Sequence, residues 1–376
     1  MQKIINFFKK ETVLSIAWLA AVASVFFIHP DKEYISYIDY RTICILFSLM
    51  AVMEGFNSIG IFSMTARKLL SRAKSIRSVI TILVCLCFFF SMLITNDVAL
   101  ITFVPLTIVI FRMLGNELSA KLLIPTVVMQ TIAANLGSML TPIGNPQNLY
   151  LYGISGIGPG DFILLTLPFA ATAFILLMIW IAMKTHGIVS EVSAGIPDDN
   201  TSVRKNPLIM YTILFIVCLL AVAKLLHFLA VTLIVLTAVL LTDRKILKRI
   251  DYALLLTFAG FFIFIGNMGR IEAINSFIGR IIESNEFAAS VAASQIISNV
   301  PCALLLSGFS ENYSRLILGT NIGGLGTLIA SMASLISFKY IVNENQKLRK
   351  NFFLSFTLAN IIFLAAMLLL YTIINL

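Results

Sequence analysis

Two long apolar segments of this chain are each broken by residues that a continuous membrane helix avoids, and few folds can hold such breaks. The first reads Asn135-Leu136-Gly137-Ser138-Met139-Leu140-Thr141-Pro142-Ile143-Gly144-Asn145-Pro146-Gln147-Asn148. The second reads Asn321-Ile322-Gly323-Gly324-Leu325-Gly326-Thr327-Leu328-Ile329. Both follow the order Asn, aliphatic, Gly, small, two variable residues, Thr, one variable residue, Ile. Backbone released from a helix at membrane depth is tolerated only where it lines a cavity or is buried in protein. Two interrupted spans at matching places in two halves are therefore the sequence mark of a transporter's binding site.

The surroundings are those of a polytopic membrane protein. Of 376 residues, 59% are hydrophobic and only 12% charged, and the mean hydropathy is +0.97, far from the composition of a soluble domain. A net charge of +9 would suit nucleic acid if it were clustered on a soluble surface. Here the basic residues sit in short loops between apolar runs, where they orient the chain, so nucleic acid is not an expected partner and the lipid bilayer is. Cys44, Cys85, Cys87, Cys218 and Cys302 all lie in apolar runs, which fits small buried residues better than a disulfide framework. The three histidines, His29, His186 and His227, are not spaced for a metal, and no organic or metal cofactor is expected.

Apolar runs of about twenty residues read as spanning helices. They fall near 13–29, 40–57, 120–151, 162–184, 207–226, 228–243, 251–269, 314–342 and 351–374. Two further pairs flank a polar tip: 78–94 and 98–113 around Thr95-Asn96-Asp97, and 286–297 and 301–309 around Ser298-Asn299-Val300. We read each pair as a re-entrant hairpin, because full crossing would leave both polar tips at the surface without a role. Nine crossings then put 21 of the 27 Lys and Arg on one side, including Lys3, Lys9, Lys10, the cluster from Arg67 to Arg77 and the cluster from Arg244 to Arg249. The other side keeps Lys32, Arg41, Lys224, Arg270, Arg280 and Arg315. The positive-inside rule makes the first side, with the N-terminus, cytoplasmic and the C-terminus extracytoplasmic, in an inner or plasma membrane.

An internal repeat organises the spans. Ile38-Asp39-Tyr40 matches Ile250-Asp251-Tyr252, and the apolar segments before them hold the same place in each half. That match argues for keeping 13–29 as a span, although Lys9, Lys10 and the following apolar run imitate a cleavable signal. With the extra span at 207–226, an odd number of crossings precedes the second copy, so the second half is expected upside down. The expected fold is an all-α polytopic membrane protein of two inverted repeats, each with a re-entrant hairpin and a broken helix. The first repeat is placed at 1–184, a polar cytoplasmic linker at 185–206 and the second repeat at 207–376.

The tips and breaks carry the candidate chemistry. Thr95, Asn96, Ser298 and Asn299 offer hydroxyl and amide oxygens at helix N-termini. Asp97 is the sharpest feature, since a carboxylate inside an apolar hairpin is costly and is a functional candidate by default; capping of the second arm is its structural alternative. Val300 holds the corresponding place at the second tip, so any charge chemistry belongs to one half. Gly137 and Gly323 permit close approach or positive φ, and Pro142 and Pro146 free carbonyls. Those carbonyls, with Ser138, Thr141 and Thr327, suit Na⁺; helix N-termini and the amides of Asn145 and Asn148 suit an anion. Packing of small residues at helix contacts is the alternative for each break, weakened by two copies in register. Glu54, Asn57, Asn267, Arg270 and Glu272 read as boundary or packing residues.

Thr95-Asn96-Asp97-Val98-Ala99, the string Thr141-Pro142-Ile143-Gly144-Asn145-Pro146-Gln147-Asn148 and Ser298-Asn299-Val300-Pro301 together resemble the ion transporter superfamily. That group includes divalent-anion/sodium symporters, citrate carriers, arsenite permeases and D-type sodium/proton antiporters. The resemblance implies inverted repeats moving as an elevator against a scaffold, with Na⁺ and substrate carboxylates held at the tips by Thr95, Asn96, Ser298 and Asn299. It departs from the symporter pattern at Asp97 and Val300, and the first tip is closer to the arsenite permease and antiporter style.

The expectation is a secondary active transporter, not an enzyme, moving a small carboxylate or oxyanion with Na⁺ or H⁺ as coupling ion. Substrate contacts fall to Thr95, Asn96, Thr141, Pro142, Asn145, Asn148, Ser298, Asn299 and Thr327. The coupling ion falls to Thr95, Asn96, Asp97, Gly137, Ser138, Ser298, Asn299, Gly323 and Gly324, with Na⁺ at the two tips. A Na⁺/H⁺ antiporter and an arsenite or metalloid efflux permease are the rival carriers. A membrane enzyme would need a nucleophile and base in one cavity, which the scarcity of His disfavours. Elevator carriers commonly pair through their scaffolds, so a homodimer is an expected assembly.

Overall fold

The structure, a computed structural model, describes residues 11–188 and 205–374. Lys3, Lys9, Lys10 and most of the linker lie outside the described residues. The described chain is helical, with no strand. Its first half comprises α1 (Thr12–Val25), α2 (Glu33–Tyr37), α3 (Tyr40–Ser58), α4 (Ile61–Leu70), α5 (Ile76–Ile94), α6 (Asn96–Met113), α7 (Asn116–Ser138), α8 (Pro146–Ser155) and α9 (Pro159–Thr185). After α10 (Lys205–Val222) come α11 (Phe228–Thr242), a 3₁₀ turn (Ile246–Lys248), α12 (Tyr252–Gly269), α13 (Glu272–Ser284), α14 (Glu286–Ile297), α15 (Asn299–Ser307), α16 (Tyr313–Gly323), α17 (Met332–Glu344) and α18 (Arg349–Ile374).

Matching local sequence starts matching helices. The Ile-Asp-Tyr motif places an Asp at the N-cap in both halves: Asp39 accepts from the Thr42 amide at 3.0 Å and Asp251 from the Leu254 amide at 3.0 Å. Each satisfies a backbone donor that has no partner within its own helix. The helix pairs α4 and α13, which follow α3 and α12, are amphipathic; α4 buries Phe62, Ala66 and Leu70, one residue per turn. Neither coincides with an expected span, because neither is apolar throughout.

Seven described helices are long and apolar enough to cross a membrane: α5, α6, α7, α9, α10, α12 and α18; α3 with α4, bent by 54°, makes an eighth. The expected spans at 120–151 and 314–342 each occur as two helices with an irregular break. The expected spans at 13–29 and 228–243 are α1 and α11, of only 14 and 15 residues, because His29-Pro30 and Asp243 follow their ends and the residue before a proline disfavours helix. The two hairpins differ in reach. Arms α14 and α15 have 12 and 9 residues, rising about 18 and 14 Å, well short of a hydrocarbon core of about 30 Å. Arms α5 and α6, with 19 and 18 residues, rise about 29 and 27 Å, so length alone admits crossing there.

Two apolar cores form. One gathers α4, α5, α6, α7, α9, α17 and α18 around Phe103, Phe111, Ile132 and Phe356. The other gathers α3, α8, α10, α11, α12 and α15 around Val52, Tyr152, Phe258 and Leu304. The breaks lie between them, with α7 in the first core and α8 in the second.

A candidate transport site at two strained hairpin tips

Each hairpin turns on one residue. Thr95 adopts φ 72°, ψ 153° and Ser298 adopts φ 72°, ψ 154°, a region populated almost only by glycine, where another residue costs of order 1–3 kcal/mol. Such strain persists only where neighbours enforce it. Those neighbours are visible at both tips. The Asn96 amide donates to Gly144 O at 3.1 Å and the Asn299 amide to Ala330 O at 2.9 Å. One turn earlier, Thr141 Oγ1 donates to Met92 O at 2.5 Å and Thr327 Oγ1 to Gln295 O at 3.0 Å. Each break is thus stapled to its own tip by the same two bonds. The hydroxyls of Thr141 and Thr327, read from sequence as suiting a cation and as substrate contacts, donate to these hairpin carbonyls.

The breaks also hold each other. Asn145 caps α8, accepting from the Asn148 amide at 2.9 Å, and its Nδ2 donates to Asn321 Oδ1 at 2.9 Å. Asn321 Nδ2 donates to Asn148 Oδ1 at 2.5 Å. In the reverse sense Ser331, at the start of α17, donates to Asn135 Oδ1 at 3.0 Å, and Asn96 Nδ2 donates to the same oxygen at 3.1 Å. Ser138 Oγ accepts from Asn145 Nδ2 at 3.3 Å. The residue opening each second half-helix therefore bonds an asparagine near the end of the first half-helix in the other half of the chain. Asn135, Asn145, Asn148, Asn321 and Ser331 are all buried, where an unmade bond is expensive. Asn135 Nδ2 and Ser334 Oγ have no partner among the described residues. At the second tip Ser298 Oγ reaches Ala330 O at 3.4 Å.

The glycines serve close approach. A Cβ on Gly137 would lie 2.3 Å from Phe88 O, and one on Gly323 2.8 Å from Ser294 Cβ. These are equivalent contacts, the first arm of a hairpin resting on its broken helix. Neither glycine has positive φ, which removes that half of the sequence expectation. Gly324 lies against the Asn299 side chain and Gly144 against the Ser138 carbonyl. Pro142 is buried in the break, and Pro146 takes the first position of α8, where its missing N–H costs no helical bond.

Asp97 occupies the first turn of α6. Its backbone amide donates to Asn96 Oδ1 at 3.0 Å, and its carboxylate Oδ1 is buried with no hydrogen-bond partner among the described residues. It lines a cavity of about 160 Å³ with Thr95, Glu54 of α3, Pro146 at the start of α8, and Arg249 and Asp251 at the start of α12. The walls are otherwise aliphatic, from Leu49, Met50 and Ile94 among others. Glu54, read from sequence as a packing residue, thus faces the same space as Asp97. So do Arg249 and Asp251, which no local pattern connects to the tip. The tips differ in exposure: Thr95 and Asp97 are half-buried, whereas Ser298 and Asn299 are 3% and 4% exposed. No group of three or more metal-ligating side chains occurs among the described residues.

The profile of the citrate transporter family matches residues 4–312. The chain belongs to the citrate transporter family. It is 34% identical over 302 residues to an uncharacterized transporter of Methanocaldococcus jannaschii, covering 80% of this chain and 81% of that one. It is 30% identical over 325 residues to the inner membrane protein YbiR of Escherichia coli, covering 85% of each. A shorter stretch of 154 residues is 32% identical to a silicon efflux transporter of Oryza sativa, covering 40% of this chain and 30% of the other. This family member is a multi-pass membrane transporter, as the resemblance in its tips and breaks implied.

Proposed function

We propose that the protein is a secondary active transporter that carries a small oxyanion or carboxylate, coupled to Na⁺ or H⁺, by an elevator movement. The observation that carries the reading is the convergence of helix N-termini at the pinned tips. At the Asn96–Gly144 bond the start of α6 meets the start of α8, and at the Asn299–Ala330 bond the start of α15 meets the start of α17. Four positive helix ends beside unwound backbone favour an anion, and freed carbonyls favour a cation beside it. The matched dihedrals, staples and glycine contacts support reading the halves as inverted repeats that enclose one cargo from opposite sides. The family's citrate description and the silicon efflux relative both support a small, oxygen-rich solute.

Asp97 is the coupling residue in this proposal, holding a proton or coordinating Na⁺ when cargo is bound. The opening beside Thr95 and the burial of Ser298 support an inward-facing state, with the basic loops cytoplasmic in a cell inner membrane. A second reading, Na⁺/H⁺ exchange with no anion carried, is favoured by the unpartnered Asp97 oxygen. The deciding experiment is uptake of labelled citrate, succinate and arsenite into proteoliposomes under imposed Na⁺ and H⁺ gradients, with internal pH recorded. Gradient-driven accumulation of an anion supports the first reading. Na⁺-triggered proton movement with no solute uptake establishes the second.

A further inference from the structure

The cavity beside the first tip carries one feature that the pinned tips do not use. Arg249 is exposed and lines it, and among the described residues it makes no side-chain hydrogen bond or ion pair. Its backbone, in contrast, is held. The Arg249 amide donates to Ile246 O at 2.9 Å, Ile246 and Ile250 on either side are buried, and Asp251 caps α12 two residues on. A guanidinium on an anchored turn, lining a cavity and held there by no side-chain hydrogen bond or ion pair among the described residues, is preorganised for a planar oxyanion, which it binds through a two-pronged fork. The groups facing it are Glu54 from α3, Asp97 from α6 and Asp251 from its own turn. No ion pair within 4.0 Å joins it to any of them. The corresponding position in the first half, two residues before Asp39, is Tyr37, so the guanidinium serves one side only.

We infer that Arg249 recruits the anionic group of the cargo at this face of the carrier and that Glu54 opposes it when the cavity is empty. The inference rests on the anion reading above and adds an order of events. Three carboxylates face one guanidinium in a cavity with aliphatic walls, a formal charge of −2 that repels an anion and that neutralising one carboxylate halves. A proton or cation at Asp97 does that. Cation first, anion second is then the favoured loading order, and the charge balance of the cavity itself enforces coupling.

The test reads the cavity's charge without depending on transport. Val98 and Met50 line the cavity; Val98→Cys, with Met50→Cys as a second reporter, is labelled in the full-length protein by an anionic and by a cationic methanethiosulfonate, with the parent's own labelling subtracted. Arg249→Gln is expected to lower the anionic-to-cationic rate ratio by about tenfold or more, Arg249→Lys to restore most of it, and Glu54→Gln to raise it. Ratios unchanged within twofold by both Arg249→Gln and Glu54→Gln overturn the inference, as does a fall that Arg249→Lys leaves unrepaired. The two readings fail separately. A charge-dependent ratio in a protein that takes up no anion removes the cargo assignment and leaves Arg249 as the cavity's anion attractor. Anion uptake with an indifferent ratio removes the role of Arg249 alone.

Discussion

Asp97 and the asparagines around it do different work, and substitutions should separate them. Asp97→Asn keeps the shape of a side chain whose Oδ1 has no partner among the described residues, so the protein is expected to fold while gradient-driven uptake in proteoliposomes falls at least tenfold and loses its dependence on pH or Na⁺. Intact, still coupled transport in that variant would remove Asp97 from the coupling step. Asn321→Ala instead leaves Asn148 Oδ1 without its partner and Asn145 Nδ2 with only Ser138 Oγ at 3.3 Å. It should cost about 1–3 kcal/mol, the penalty for orphaned buried polar groups, and show as a lower melting temperature in detergent. Thr95, Asn96, Asp97, Ser298 and Asn299 were legible in the sequence because polar residues inside an apolar hairpin stand out. Asn135 stands in the sequence only as the first residue of the repeated motif, and nothing marks Ser331 or Gln295: their roles depend on partners far along the chain, as when Gln295 Nε2 donates to Gly323 O and Leu325 O. Glu54 and Arg249 meet across roughly half the sequence, and nothing local to either announces it.

At the scale of elements, the contact of each hairpin's first arm with its broken helix is the joint on which the site depends. Gly137→Ala would drive a methyl to 2.3 Å from the Phe88 carbonyl oxygen, an atom of the backbone that cannot swing aside. Loss of folded protein on size-exclusion chromatography is expected. Gly160→Ala in α9, where nothing lies within 4 Å of the added carbon, should be neutral or stabilising by a few tenths of a kcal/mol, as helix propensity dictates. A second joint lies where the α1–α2 loop meets the end of α12. Arg270 bonds Asp31 at 2.7 Å and holds that carboxyl below its ordinary 3.8. A depressed folded value means the contact contributes at and above the ordinary value and is lost as pH falls through the folded one. The pair is exposed, so the effect is small. Melting temperature should decline more below pH 4 in the natural protein than in Asp31→Asn. The long helices followed from apolar length; the amphipathic α4 and α13 did not, since a stripe one residue per turn is diluted in a span-length window.

For the whole molecule, the proposed elevator, if it moves inverted repeats, exchanges which tip is open. Thr95→Cys should react with a membrane-impermeant thiol reagent from the cytoplasmic face in the state described here, while Ser298→Cys, 3% exposed in its natural form, should not. Conditions that drive the other state should reverse the two, and simultaneous labelling of both from one face in every condition would end the elevator reading. The sequence by itself determined the class, the broken helices, the polar tips and the family, because membrane depth punishes polar backbone and side chains so heavily that their presence in an apolar run is informative on its own. Which polar groups are spent on holding the fold and which remain free was decided only by the tertiary structure. Thr141, Thr327 and Asn145 are bonded to neighbouring backbone or to the other break, while Asp97 and Arg249 face the cavity uncommitted. A hydrogen bond is satisfied by whichever partner folding brings within 3 Å or so, and chain order does not record that distance.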